Sequence, residues 1–144
     1  MESGKGSRPE RILVVEDHPD SAELLQMILE DKGYEVRCVR TGHEALRVFD
    51  AQSDDKTLEW RPDLILIDLR LPDMKGVDVI RELRKSSQSV PPVVLLSADS
   101  PQTLENAASG VEASPIRKPF DFDDLYRAIE SALAKPRGSN AAGE

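Results

Sequence analysis

Cysteine is nearly absent from this sequence, which contains only Cys38. One thiol cannot form an internal disulfide framework, and such scarcity fits a reducing compartment. Cys38 alternates with apolar Val36, so we interpret it as a core residue rather than a reactive thiol. We therefore expect a cytoplasmic protein.

Two further shortages exclude other classes of protein. No apolar stretch reaches the roughly 20 residues of a membrane-spanning helix, and the polar N-terminus lacks the apolar segment of a secretion signal. Basic residues are also few, since 19 Lys and Arg face 27 Asp and Glu for a net charge of −8. A nucleic-acid-binding module normally presents a basic face. We expect neither a membrane nor a nucleic acid as a partner.

The rest of the composition is that of a globular chain. Its 144 residues are 39% hydrophobic and 32% charged, which is enough for one domain with a real core. We place this domain at residues 10–135. The flanking residues 1–9 and 136–144 are rich in small and polar side chains, and we predict disordered tails there.

Short apolar runs alternate with amphipathic helical patterns five times along the chain. We predict strands at residues 11–16, 34–39, 64–67, 93–97 and 113–117. We predict helices at residues 19–32, 41–51, 77–85, 101–109 and 120–133, with a long connection at residues 52–61. This alternation predicts an α/β fold, a doubly wound parallel sheet with five strands and five helices. We expect the flavodoxin-like strand order 2-1-3-4-5.

Two details of the pattern can be checked directly. Pro115 has no N–H for a central ladder, so it favours an edge position for the fifth strand. Helical spacing assigns an inward-facing set of residues to the first and last helices. These residues are Leu24, Leu25, Ile28 and Leu29 in the first helix, and Phe122, Leu125, Ile129, Ala132 and Leu133 in the last.

Polar side chains stand where four of the predicted strands end. Glu16 and Asp17 follow the first strand, Asp68 the third, Ser97 the fourth and Lys118 the fifth. The carboxyl ends of parallel strands share one edge of the sheet, where open α/β sheets bind their ligands. A single strand-end aspartate is usually a turn or cap residue, but four coincident strand ends favour a common site.

The converging groups predict metal-dependent phosphoryl chemistry. Three neighbouring carboxylates raise at least one pKa unless a cation lies among them. Carboxylate oxygens suit Mg²⁺, and Lys118 supplies a second positive charge. Phosphoryl transfer onto a carboxylate requires one carboxylate nucleophile, two cations and a hydroxyl donor.

Four segments, in this order and at these separations, resemble the response-regulator receiver domain of two-component signalling. They are ILVVEDHPD, PDLILIDLRLPDMKG, VVLLSAD and RKPF. The resemblance covers roughly residues 10–134. It implies that Asp68 is the phosphoacceptor and that Glu16, Asp17 and Asp68 hold Mg²⁺. The backbone carbonyl of Arg70 would be a further ligand.

The resemblance also implies roles for the remaining site residues. Ser97 stands where the family has its switch Ser or Thr. Lys118 stands at the phosphate-binding lysine and precedes Pro119 in a step that favours a cis peptide bond. Receivers usually carry Tyr or Phe three residues before this lysine, whereas this chain has Pro115. This departure predicts either a relay through the loop after Ser97 or weak switching.

The function implied is a signalling switch rather than an enzyme with an external substrate. Asp68 would take a phosphoryl group from a sensor histidine kinase or a histidine phosphotransfer protein and lose it slowly to water. We expect the domain to act on a downstream protein target without an attached output domain. A pseudo-receiver that binds partners without phosphorylation, and a fragment of a longer regulator, are the alternatives. A haloacid-dehalogenase-like phosphatase would want an aspartate at position 70, where this chain has Arg70.

Four polar residues near these motifs have open or modest interpretations. Arg70 and Asp99 either tune the attack of water on the site or form an exposed pair. We interpret His18 as a turn residue rather than a catalytic group. His43 has no partner that the sequence reveals.

Overall fold

The computed structural model describes residues 8–49, 60–86 and 90–134. Within them, the strands are β1 (Arg11–Val15), β2 (Glu35–Val39), β3 (Leu64–Asp68), β4 (Val93–Ser97) and β5 (Ser114–Arg117). The helices are α1 (Pro19–Asp31), α2 (Gly42–Val48), α3 (Gly76–Ser86), α4 (Pro101–Gly110) and α5 (Phe122–Leu133). All strand pairs are parallel, in the order β2-β1-β3-β4-β5. The predicted α/β fold and strand order are confirmed.

The sheet divides the core into two layers because alternate residues of a strand face opposite sides. Leu13, Val15, Ile65 and Ile67 pack beneath α2, α3 and α4. The intervening strand residues pack beneath α1 and α5. Both faces of β3 and β4 are covered, and every residue of these two strands is buried. This burial explains their unbroken apolar runs.

The fifth strand lies at an edge of the sheet, as Pro115 predicts. Among the described strands it pairs with β4 alone, and Pro115 is exposed there. The peptide bond between Lys118 and Pro119 is cis. Among the described residues no helix is long and apolar enough to cross a membrane.

Two residues predicted to face inward are exposed instead. Leu24 is 38% exposed and Phe122 is 44% exposed. Neighbouring helix positions point about 100° apart, so Leu24 lies at the margin of the stripe that Leu25 and its partners bury. Phe122 is the first residue of α5, and its ring centroid lies 6.4 Å from those of both Phe120 and Tyr126.

Cys38 is half-buried beside α1. Its Sγ lies 3.8 Å from the carbonyl oxygen of Ala22. Burial raises the pKa of the thiol, and nearby carboxylates add to that rise. A thiol with a raised pKa is a poor nucleophile, so the expectation of an unreactive cysteine fits its surroundings.

The predicted tails and long connection lie mostly outside the described residues. Residues 1–7, 50–59 and 135–144 belong to this part of the chain. Arg8 is described, and its Nη1 lies 3.1 Å from Oδ2 of Asp63. Trp60, in the predicted connection, is only 5% exposed. Its Nε1 donates to Glu35 at 2.7 Å, and the guanidinium of Arg37 lies 4.8 Å from its ring centroid.

Candidate functional site

The carboxyl ends of four neighbouring strands meet at one edge of the sheet and bring the predicted site residues together. Nζ of Lys118 donates to Oε1 of Glu16 at 2.9 Å and to Oδ2 of Asp68 at 2.6 Å. The backbone N–H of Lys118 also donates to the carbonyl of Ser97 at 2.8 Å. We call Glu16, Asp17, Asp68 and Lys118 the acidic pocket.

The loop after β3 is built tightly around Asp68. The N–H of Arg70 donates to Oδ1 of Asp68 at 2.9 Å, an aspartate turn that holds the carboxylate at the strand end. The N–H of Gly76 returns to the carbonyl of Leu69 at 2.7 Å. A Cβ on Gly76 would lie 2.4 Å from the carbonyl oxygen of Asp68. Only glycine allows the start of α3 to approach Asp68 so closely.

Burial sets the electrostatics of the acidic pocket. Glu16 is fully buried, and Asp68 is 7% exposed. Burial raises the pKa of Asp68; hydrogen bonds from Lys118 and the Arg70 N–H oppose the rise, and the charge of Glu16 adds to it. Burial also opposes ionisation of Glu16, but hydrogen bonds from Lys118 and His18 outweigh it and lower its pKa. One lysine therefore serves two buried carboxylates.

The same balance keeps Lys118 charged. Burial disfavours the ammonium, but its hydrogen bonds to Asp68 and Glu16 outweigh burial and raise the pKa of Lys118. With both carboxylates ionised, the shared cation leaves negative charge uncompensated. A group that adds positive charge here would stabilise the ionised form of Asp68.

The donor set of the acidic pocket fits Mg²⁺. Its ligand atoms are carboxylate oxygens, which this hard cation prefers, and their charge is not fully neutralised. Carboxylate oxygens of Glu16 and Asp17 and a ring nitrogen of His18 all lie within 4.8 Å of one another. The proposed ligation by the Arg70 carbonyl stays a prediction.

Ser97 is buried at the end of β4 and holds the following loop. Its Oγ accepts a hydrogen bond from the N–H of Asp99 at 2.9 Å. Nε of Arg70 donates to the carboxylate of Asp99 at 2.9 Å. Nε of Arg117 in β5 donates to the Asp99 carbonyl at 3.0 Å. Asp99 therefore connects the buried serine, the loop after Asp68 and the edge strand.

Of the two interpretations of Arg70 and Asp99, the structure supports an ion pair. The side chains are 64% and 24% exposed respectively. Exposed pairs of this kind contribute about 1 kcal/mol or less to stability. A role in tuning the attack of water stays a prediction.

A second carboxylate anchors the loop after Asp68 to α2. Oδ1 of Asp73 accepts from the N–H of Gly42 at 2.8 Å, and its Oδ2 accepts from the N–H of His43 at 2.9 Å. Nδ1 of His43 also contacts Oδ2 of Asp73. His43 thus has a partner that sequence reasoning missed. Positions 43 and 73 are 30 residues apart, and nothing in the sequence pattern connects them.

Replacing Asp73 by alanine is expected to lower the free energy of unfolding by about 1–2 kcal/mol at neutral pH, since two helix-start N–H groups lose their acceptor. Partial burial opposes ionisation of Asp73, but hydrogen bonds from Gly42 and His43 outweigh it and lower its pKa below 3.8. This contribution is therefore present above about pH 4 and is lost as pH falls through the lowered pKa.

Urea denaturation of both proteins between pH 7 and pH 2 checks this expectation. The difference between wild type and Asp73→Ala should narrow as the pH falls below about 4. A difference that is independent of pH would show that the carboxylate charge of Asp73 contributes nothing.

His18 is the N-cap residue of α1, and its side chain makes no capping hydrogen bond. Its N–H donates to Oε2 of Glu16 at 3.1 Å, which fits the predicted role in the turn. Nδ1 also lies 3.2 Å from the same oxygen and 3.4 Å from Oδ1 of Asp17. The ring thus contacts the acidic pocket, which the sequence interpretation did not foresee.

The fold and the acidic pocket define a class of protein: a flavodoxin-like domain with a carboxylate site at the carboxyl edge of its sheet. The family model of the response regulator receiver domain matches residues 12–130. The chain belongs to this family, and it is a receiver domain of two-component response regulators.

Curated relatives support this assignment over most of the chain. The DNA-binding response regulator MtrA of Mycolicibacterium smegmatis is 35% identical over 128 residues, which cover 88% of this chain and 51% of MtrA. The transcriptional regulatory protein ZraR of Salmonella typhimurium is 32% identical over 130 residues, which cover 90% of this chain and 28% of ZraR. The chain spans about half or less of the length of these relatives.

Solved structures give the same result. The non-phosphorylated HemR receiver domain of Leptospira biflexa superposes with a TM-score of 0.73 at 28% identity, covering 89% of this chain and 97% of that domain. The response regulator TrrA of Thermotoga maritima, solved in complex with Mg(2+)-BeF, gives a TM-score of 0.69 at 30% identity. The match covers 85% of this chain and 98% of TrrA.

Proposed function

We propose that this receiver domain is a Mg²⁺-dependent phosphorylation switch with Asp68 as its phosphoacceptor. The phosphoryl donor is a phosphohistidine on a sensor histidine kinase or a histidine phosphotransfer protein. The observation that carries the proposal is the position of Lys118, whose Nζ contacts both Asp68 and buried Glu16. A lysine held by two carboxylates can bind phosphoryl oxygens when they arrive at one of them.

The transfer breaks one bond and forms one. A carboxylate oxygen of Asp68 attacks the phosphorus in line while the bond from phosphorus to the partner's imidazole nitrogen breaks, and the imidazole keeps the electron pair. Lys118 is already 2.6 Å from Oδ2 of Asp68, so it needs little movement to neutralise a phosphoryl oxygen. The Arg70 N–H orients the other oxygen of Asp68.

Glu16, Asp17 and Asp68 would hold the Mg²⁺, with the Arg70 carbonyl as a further ligand. When bound there, the ion would supply positive charge that stabilises the transferring phosphoryl group. TrrA, solved in complex with Mg(2+)-BeF, is a relative with the same fold. That complex supports the expectation of a divalent ion here.

Ser97 would convert phosphorylation into a change of shape. Its hydroxyl group can donate to a new anionic oxygen as well as accept from the Asp99 N–H. A movement of Ser97 towards Asp68 would release Asp99 and disturb the contacts of Arg70 and Arg117. This relay passes through the loop after Ser97 rather than through an aromatic side chain. It is the relay expected in a chain in which Pro115 replaces the aromatic switch residue of the family.

The domain would catalyse only its own phosphorylation and slow dephosphorylation, and would act by contact with a downstream protein. The net charge of −8 supports a protein rather than a nucleic acid as the partner of this domain. The single cysteine supports a place in the cytoplasm. MtrA and ZraR are named as DNA-binding and transcriptional regulators, and both extend well beyond the matched region.

Intact-mass measurement after incubation with a small phosphodonor tests the proposal. We expect one added phosphoryl group in the presence of Mg²⁺, none after chelation with EDTA, and loss of the adduct in hydroxylamine, which cleaves acyl phosphates. A stable adduct that survives hydroxylamine would place the phosphoryl group on a hydroxyl side chain and contradict the proposal.

A pseudo-receiver is the second candidate, and Pro115 is the observation that favours it. This residue occupies the family's aromatic switch position on the exposed edge strand. A pseudo-receiver would take no phosphoryl group from either a small donor or its partner kinase, yet would still bind that partner. The charged pair of Asp68 and Lys118 speaks against it.

A further inference from the structure

His18 lies at the rim of the acidic pocket with its ring turned towards the carboxylates. It begins α1, but its side chain makes no capping hydrogen bond. Nδ1 instead lies 3.2 Å from Oε2 of Glu16 and 3.4 Å from Oδ1 of Asp17. The imidazole is 73% exposed, so an ion can reach it from solvent.

The three donor atoms of Glu16, Asp17 and His18 lie close together at the rim of the acidic pocket. They all lie within 4.8 Å of one another. Two ligand atoms about 2.1 Å from one ion lie about 3.0 Å apart at a right angle and about 3.4 Å apart at a tetrahedral angle. The distances from Nδ1 of His18 to the two carboxylate oxygens, 3.2 Å and 3.4 Å, lie in this range, so an ion bound by either carboxylate can also contact the ring.

An imidazole changes which ion a carboxylate site prefers. Mg²⁺ is a hard cation that takes oxygen ligands and gains little from a ring nitrogen. Zn²⁺, Cu²⁺, Ni²⁺ and Fe²⁺ bind imidazole well, and their affinities for nitrogen-containing sites exceed that of Mg²⁺. A pocket with carboxylate ligands alone lacks this additional preference for imidazole-binding metals over Mg²⁺.

We propose that His18 is a protein ligand of the divalent ion in the acidic pocket and extends its binding to metals that prefer imidazole, such as Zn²⁺. This inference rests on the proposed function, since it assigns a further residue to the same metal site. The site then has two regimes: Mg²⁺ held by oxygens alone, and a transition metal held by the oxygens and Nδ1 of His18.

Calorimetric titration of the full chain with Zn²⁺ and, separately, with Mg²⁺ tests the proposal. His18→Ala is expected to weaken Zn²⁺ binding about 10-fold or more and to change Mg²⁺ binding less than about 2-fold. The chain has only two histidines, so His43→Ala is the matched control. It removes a ring that also contacts a carboxylate, that of Asp73, and it should leave both affinities unchanged.

Imidazole nitrogen spectra of the ¹⁵N-labelled protein give a readout that does not depend on phosphorylation. Saturating Zn²⁺ should shift the Nδ1 resonance of His18 and leave the ring of His43 unaffected. An unshifted His18 ring, or equal Zn²⁺ affinities of wild type and His18→Ala, would overturn the role of His18. If Mg²⁺ still binds in that case, the proposed function stands; a wild type that binds no Mg²⁺ overturns both.

Discussion

Asp68→Asn is expected to abolish the phosphoryl adduct completely while preserving the fold. The amide has the size of the carboxylate but offers no anionic oxygen to attack phosphorus. Its oxygen can still accept from the Arg70 N–H, and Lys118 keeps Glu16 as a partner. Intact mass after incubation with a phosphodonor and Mg²⁺ measures the adduct, and circular dichroism verifies the fold. A phosphoryl group on the variant would contradict the assignment.

Asp99→Asn is the matched control for this substitution. Asp99 is also an aspartate near the strand ends, but it pairs with Arg70 on the surface rather than with Lys118. The control should take up one phosphoryl group as the wild type does. Loss of the adduct in both variants would mean that phosphorylation depends on the total negative charge of the region rather than on one nucleophilic carboxylate.

The stability of Asp68→Asn provides a second result with a defined sign. Burial raises the pKa of Asp68 in the folded protein above the ordinary value of 3.8. Ionisation of Asp68 therefore lowers the stability of the folded state as the pH rises from the ordinary pKa to the raised one, and the loss persists at all higher pH values. The neutral amide removes this effect. Without metal at pH 7, the unfolding midpoint of the variant should therefore equal or exceed that of the wild type. Mg²⁺ should stabilise the wild type more than the variant.

Gly76→Ala is expected to lower the free energy of unfolding by about 3 kcal/mol and to slow phosphorylation. The new Cβ would lie 2.4 Å from the carbonyl oxygen of Asp68, and because that oxygen belongs to the backbone, the end of β3 or the start of α3 must shift to relieve the clash. Because the displaced strand end carries the proposed phosphoacceptor, stability and phosphorylation should fall together. Urea denaturation followed by fluorescence measures the first, and the rate of adduct formation the second.

Gly110→Ala is the control, because it makes the same change at the end of α4. A Cβ there would lie 3.5 Å from Nη2 of Arg81, an ordinary contact. Alanine restricts the unfolded chain, so this variant should be unchanged or about 0.5 kcal/mol more stable. Trp60 is a suitable reporter for both, since it is buried and contacts Glu35 and Arg11, the first residues of β2 and β1, whereas Asp68 is the last residue of β3. Equal stabilities of the two variants would contradict the expected clash.

The predictable parts of the fold are those in which a local sequence pattern is compatible with only one structure. The run at residues 64–67 is apolar without alternation, and a strand covered on both faces requires this. The polar residues at four strand ends followed from topology alone, since parallel strands share a carboxyl edge. Topology thus predicted that Asp68 and Lys118, 50 residues apart, would meet.

Other features depend on the paths of loops, which periodicity does not encode. The contact of His43, at the start of α2, with Asp73 and that of Arg70 with Asp99 each join residues about 30 positions apart. The burial of Trp60 depends on Glu35 and on flanking arginines that the sequence gives no reason to group.

Apolar character alone also overstates burial at the ends and margins of helices. Leu24 and Phe122 satisfy helical spacing, yet both are more than a third exposed. A helix buries only the part of its apolar arc that faces the sheet. Spacing identifies the arc, but the way in which each helix packs on the sheet and the point at which it begins decide which of its residues are covered.

The three hydrogen-bonded groups of Asp99 have a thermodynamic consequence. Its N–H is held by Ser97, its carboxylate by Arg70 and its carbonyl by Arg117 on the outer strand. A ligand that draws Arg117 away from this carbonyl changes the free energy of moving Ser97. By linkage, the state of Ser97 changes the affinity of that ligand by the same factor. The proposed relay would therefore be reciprocal, and a partner bound at the outer strand would alter the equilibrium of phosphorylation as much as phosphorylation alters its binding.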